Sequence, residues 1–236
     1  MTDAAAPAPR DTSGLLGPPG PLGTLGTGHV AAALPIEELA RVTGGYRFVE
    51  LRLFEILGGW VASTPEVEAK LVLGALAPRH AWHAELWEER MPLDGAHAVP
   101  EGADRGTEAV LSRLAELPSA TSPGGTAIRL VGLFRVVLPR LVAAYREHLR
   151  AVVPVSDGPI DRALRLVLAD EVGELLEGEA VVQALLVDEQ ALALAAEHQW
   201  RLEAAALTSD LLRAEPLRAR RQATLDAAGT LRAEGR

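Results

Sequence analysis

Apolar residues recur at steps of three and four along residues 34–61, where Tyr46, Val49, Leu53, Leu57 and Trp60 fall on one face. That spacing predicts an amphipathic helix. Gly58-Gly59 weakens its end, and Ser63-Thr64-Pro65-Glu66 then reads as a helix start, with an N-cap, a first-turn proline and a capping-box glutamate. A second helix is predicted from there to about residue 90. Residues 91–100 carry two prolines and a glycine and predict a connection. A short amphipathic helix follows over 107–117, ahead of Pro118 and the breaker run Thr121-Ser122-Pro123-Gly124-Gly125. A third long helix is predicted over 126–153, with Leu130, Leu133, Val137, Leu141, Tyr145, His148 and Val152 on one face. Ser156-Asp157-Gly158-Pro159 stops it and starts a fourth helix, from about residue 160 to about 206. No segment alternates cleanly at period two, so no strand is expected and the fold class is all-α. Residues 1–28, rich in Pro, Gly and Ala, predict a disordered leader. Residues 34–206 form the helical domain, and the Arg-rich residues 207–236 are expected to be a last, looser helical tail.

Composition narrows the picture. A chain of 236 residues suits one domain, and with only 4% aromatics its core must be built from Ala, Leu and Val, which favours closely packed helices. The absence of cysteine excludes disulfides, a thiolate nucleophile, Cys-ligated zinc and iron–sulfur clusters. A net charge of −9 gives no electrostatic footprint for nucleic acid or an anionic membrane. No apolar run reaches the ~18 residues of a membrane span and no secretory signal is apparent, so a cytoplasmic protein is expected. Neither Gly-x-Ser-x-Gly nor a Gly-rich phosphate loop occurs.

The informative residues are the polar ones inside apolar faces. Glu50 lies on the stripe of the first helix. His80 and His83 lie on the second, in the row Val72, Leu76, His80, His83, Trp87. On the fourth, Leu164, Leu168, Glu171, Leu175 and Val182 form the stripe and Glu174 borders it. An uncompensated buried carboxylate costs several kcal/mol, so these acids must be paired, protonated or metal-bound. Glu50, His80, His83, Glu171 and Glu174 are therefore the candidate metal ligands, with the inward-facing Tyr145 and His148 as supporting groups. Pro78 and Pro139 each remove a backbone hydrogen bond close to this level and could open the helices there.

Glu50, His80-x-x-His83 and Glu171-x-x-Glu174, on helices joined by short turns within two hairpins and a crossover of about 35 residues between them, resemble the ferritin-like di-iron carboxylate proteins. The resemblance covers residues 44 to about 190 and implies a ferritin-like four-helix bundle whose long second-to-third connection holds a short helix. Its ligand set is altered. Folding the first hairpin sets Ala77 level with Glu50, where the family has a glutamate. Folding the second sets the family's remaining glutamate within Val142-Ala143-Ala144-Tyr145, and Glu174 stands where the family has a histidine. The resemblance implies iron or manganese, which also suit these ligand types, and a metal-dependent oxidase or hydroxylase acting on a small organic molecule. The alternative is a metal-free bundle in which His80 and His83 neutralise the acids, serving as a small-molecule binding or homodimerisation module.

Overall fold

The apolar stripes close on one another in a computed structural model that describes residues 34–91, 103–153, 156–219, 222, 223 and 226. Helix α1 (Ile36–Ser63) and helix α2 (Val67–Glu88) form an antiparallel hairpin. Helix α3 (Arg105–Ala115) precedes α4 (Gly125–Val131), a π turn (Gly132–Val137) and α5 (Leu138–Ala151), which together run as one continuous helical rod. Helices α6 (Gly158–Leu185) and α7 (Glu189–Ala206) follow, and no strand occurs among the described residues. The fold is thus all-α, and among the described residues no helix is long and apolar enough to cross a membrane. The expected leader, residues 1–28, and most of the connection at 91–100 lie outside the described residues.

Four local expectations are corrected. The residues at 63–66 close α1 rather than opening α2: the Ser63 and Thr64 hydroxyls both donate to the Trp60 carbonyl, at 3.2 and 2.9 Å. With those hydroxyls turned back to a carbonyl that also accepts the Thr64 N–H, α2 starts after Glu66, which caps nothing with its side chain. The fourth helix does not reach 206 but ends at Leu185, because Asp188 captures the Ala191 amide at 2.7 Å and starts a separate helix. Asp157 leaves the amides of α6 alone and instead accepts from the Val153 N–H. The tail does not begin as a helix. Residues 209–214 form a turn in which Ala214 is left-handed, φ 54°, and helical geometry resumes only at 215–219.

That turn is tied to the crossover. Asp104 caps α3 by accepting from the Thr107 amide and hydroxyl, and its two oxygens also accept from the Asp210 and Leu211 amides at 3.1 Å. Burial works against the charge on Asp104, but these hydrogen bonds outweigh it and hold the carboxyl below its ordinary range. Gly106 is required here: a Cβ would stand 1.9 Å from the Thr208 carbonyl oxygen.

The two interior prolines differ in their effect on the helices. Pro78 sits inside α2, which runs through it unbroken. Pro139 has no N–H for the carbonyl one turn earlier, and the turn just before it is widened to π geometry. The Arg140 guanidinium bonds the Val136 carbonyl at 2.9 Å within this region. Phe134, on the widened turn, seats directly on Gly178 of α6, where a Cβ would lie 2.1 Å from the ring.

Side chains from α1, α2, α5 and α6 make the centre of the core, while α7 lies against α3, α4 and the π turn. Leu53, Leu57, Leu73, Leu76, Leu133 and Leu138 are fully buried, each contributing about 1.5–3 kcal/mol of apolar burial. The scarce aromatics are concentrated: Tyr46, Trp87 and Tyr145 pack with ring centroids 4.6–5.5 Å apart, directly beside the polar cluster.

Candidate metal centre

Glu50 of α1, His80 and His83 of α2, and Glu171 and Glu174 of α6 all lie in the bundle interior, with no exposed surface. Each arrives there by helical spacing. His80 and His83 continue the stripe of Leu73 and Leu76, and Glu171 and Glu174 continue that of Leu164 and Val167. Glu50, His80, His83 and Glu171 each offer one ligand atom, and these atoms lie within 4.8 Å of one another.

The closest contact is between His80 and Glu50, Nδ1 to Oε2 at 2.6 Å. A carboxylate can only accept, so Nδ1 carries the proton. The Tyr145 hydroxyl donates to the other Glu50 oxygen at 2.5 Å and in turn accepts from the Trp87 indole N–H at 3.3 Å. Glu50 is therefore fully engaged. Glu171 is the opposite: both its oxygens are buried without a hydrogen-bond partner among the described residues, and so are His83 Nδ1, His80 Nε2 and Glu174 Oε2. His83 Nδ1 stands 3.5 Å from Glu171 and 3.6 Å from Glu50, and His80 Nδ1 is 3.5 Å from Glu171. These separations are long for hydrogen bonds. The two His83 distances fit the roughly 3.4 Å edge between two ligand atoms bound tetrahedrally at about 2.1 Å to a common ion, and His80 Nδ1 would join that set on giving up the proton it donates to Glu50.

Charges in the cluster are interlocked. Burial works against ionisation of Glu50, but the His80 and then the His83 imidazolium overcome it and hold the carboxyl down at about 2. Burial equally opposes protonation of the histidines, and the carboxylates win again: Glu50 and Glu171 push His80 up to about 9, and Glu171 and Glu50 push His83 up to about 11. Glu171 is raised by burial and by the charge of Glu50. Glu174 is pushed up to about 7 by burial and by Glu171. Without an ion, two imidazolium protons thus balance the inward carboxylates.

Two polar pairs connect this interior to the surface. Arg79, about a third exposed, donates to Glu174 Oε1 at 2.9 Å, and His83 Nε2 donates to the partly exposed Asp170 at 3.2 Å. The latter bond leaves His83 Nδ1 facing the cluster, the arrangement by which a carboxylate fixes a ligand imidazole.

The chain matches no protein-family model, no curated protein and no solved structure.

All five expected ligand residues are brought together, with Glu174 at the edge, 3.7 Å from His80 Nε2. Tyr145 is a supporting group, bonded directly to Glu50, and it fills the level where Val142 to Tyr145 carry no acid. His148 is not. It is buried one turn beyond, against the Tyr46 ring at 5.8 Å, with Nδ1 unpartnered among the described residues. Burial pushes its imidazole down to about 4. Asp170 and Arg79 were missed by the sequence reading. Asp170 could have been found, since it precedes Glu174 by one helical turn and so shares its side of α6.

Proposed function

We propose that Glu50, His80, His83 and Glu171 hold a divalent transition metal ion and that the protein is a ferritin-like metal-dependent oxidase or hydroxylase acting on a small organic molecule. The observation carrying this reading is the set of buried ligand atoms without hydrogen-bond partners among the described residues, above all both oxygens of Glu171 facing His83 Nδ1. Leaving such groups bare costs about 1–3 kcal/mol each, and a shared cation removes that cost. Two imidazoles and two carboxylates suit iron or manganese, and the two carboxylate charges neutralise a divalent ion in a site closed to water.

When bound, such an ion would supply dioxygen activation, the part of the chemistry that side chains cannot perform. This chain's residues do the rest. Tyr145 holds the Glu50 carboxylate in one orientation by its O–H donation to Oε1, and Trp87 holds Tyr145. Asp170 holds His83 in the tautomer that presents Nδ1 inward. Arg79 pins Glu174 at the edge of the cluster, and the Tyr46, Trp87 and Tyr145 rings exclude water from its other side. One contact favours the metal-free reading: the His80–Glu50 ion pair, at 2.6 Å, is complete in itself.

The test is metal uptake and melting of wild type and Glu50→Gln, each with and without Mn(II) or anaerobic Fe(II). Wild type should bind the metal and gain about 3 kcal/mol when the ion is at 100 times its dissociation constant. Glu50→Gln should lose that metal-dependent gain, whatever the cost to its metal-free fold of removing the carboxylate that His80 and Tyr145 bond. No metal effect in wild type, together with a loss of roughly 3–5 kcal/mol in the variant from stranding the His80 charge, would establish the structural ion pair instead.

A further inference from the structure

Between the end of α2 and the start of α6 lies a cavity of about 590 Å³, within the size range of small-molecule sites. Its helix-borne walls carry Leu86 from α2 and Pro159, Ala163 and Leu166 from α6, and Arg90 and Arg162 also line it. The sign of its charge is set by how little these arginines are neutralised. Arg162 makes no ion pair or side-chain hydrogen bond with any described residue. Arg90 donates to the Glu89 carbonyl at 3.3 Å and comes no nearer than 3.5 Å to that residue's mostly exposed carboxylate, and Arg90 Nε is buried with no acceptor among the described residues. The nearest acids on α6 are turned to other work: Asp157 accepts from the Val153 amide and Asp161 pairs with Arg165. The positive end of α6, whose first turn receives no side-chain cap, adds to the same sign.

Along both helices the cavity's walls stand one turn from the buried cluster. Leu86 follows His83 on α2 by one helical turn, and Leu166 precedes Asp170 on α6 by one turn, so the apolar walls lead from the arginines toward the Asp170–His83 pair.

We propose that this cavity binds a small organic anion with an apolar body, a carboxylate or a phosphate monoester, its head between Arg90 and Arg162 and its chain along Leu86 and Leu166. Guanidinium groups match both heads by charge-assisted, forked hydrogen bonding. Resting on the metal-centre reading, such a molecule is the substrate that the centre meets.

The test is calorimetric titration of the full chain, in chelator, with hexanoate, hexyl phosphate and the neutral hexanol. Wild type should bind one or both anions, the tighter naming the head group, with hexanol at least about ten-fold weaker. The double variant Arg90→Gln/Arg162→Gln should bind the anions at least about ten-fold more weakly, while its melting temperature shows that it folds. Equal binding of hexanol and hexanoate, equal binding by wild type and the double variant, or no binding of either anion overturns the proposal. Because these titrations contain no metal, their failure is separate from failure of the metal centre, which the Mn(II) melting curves read by themselves. The substrate clause is tested by the hexanoate proton resonances. Mn(II) should broaden them in the presence of wild type but not of Glu50→Gln, and equal line widths would refute it.

Discussion

Replacing Tyr145 by Phe removes one oxygen from the most tightly bonded part of the polar cluster. The lost hydroxyl donates at 2.5 Å to a Glu50 carboxyl held ionised, and it accepts from Trp87 Nε1 at 3.3 Å. A hydrogen bond to a charged group contributes about 1.5–3 kcal/mol, and the stranded indole N–H adds about 1 more, its bond being long. The expected destabilisation is therefore about 3 kcal/mol, or roughly 6–12 °C in Tm for a domain of this size. Differential scanning calorimetry of the metal-free proteins measures it, and a cycle with Glu50→Gln isolates the pair: in that background Tyr145→Phe should cost only about 1 kcal/mol, the bond now being neutral. The Mn(II)-dependent rise in Tm should survive Tyr145→Phe, since every proposed ligand remains. A loss below ~1 kcal/mol, or the same loss in both backgrounds, would refute the picture of a hydroxyl donating into a buried carboxylate. Disappearance of the metal effect would instead make Tyr145 itself a ligand.

His148 should make stability fall in mild acid. Its imidazole is held neutral in the fold, down at about 4 against the ordinary 6.5, so between those values the unfolded chain binds a proton that the folded chain refuses. Wild type should lose roughly 2 kcal/mol more than His148→Gln between pH 7 and pH 5 in denaturant titrations, and parallel curves would show that His148 protonates freely. Gly178→Ala sets two effects against each other: a gain of about 1 kcal/mol in helix propensity, and overpacking of about 1–3 kcal/mol from a Cβ placed 2.1 Å from the buried Phe134 ring. The net effect should be a loss that Phe134→Leu relieves, and a variant melting above wild type would mean that the ring has room to move.

Periodicity makes the long helices legible through their apolar stripes, and the same periodicity places Glu50, His80, His83 and Glu171 on those stripes and Glu174 at the border of one. What it could not reach were choices between competing local bonds. Ser63 and Thr64 look the same whether they cap the helix behind them or the one ahead, and in the fold both hydroxyls turn back to the Trp60 carbonyl. Asp188 lies in a sequence that would extend a helix smoothly, yet one side-chain bond to Ala191 outweighs another turn of propensity. His148 satisfied the spacing rule as well as Tyr145 did. They part because one helical turn is 5.4 Å, enough to carry a side chain from the cluster to the back of the Tyr46 ring. Asp170 escaped notice because it is only half inside, and spacing arguments favour residues on the centre of a stripe.

The clasp at Asp104 has a consequence for how the chain is made. Its carboxylate accepts from the Leu211 amide, 107 positions later, so the cap of the crossover helix cannot be completed while the chain is still being extended through α4 to α7. At about 5–20 residues per second that interval is roughly 5–20 s. During it the N-terminal end of α3 keeps its own Thr107 bonds but lacks the covering turn, and the notch at Gly106 stays open until Thr208 arrives. A ribosome-bound chain that has emerged only as far as α7 would therefore carry its long helices with the crossover unlatched, and the closing step of folding would wait for residues 208–211.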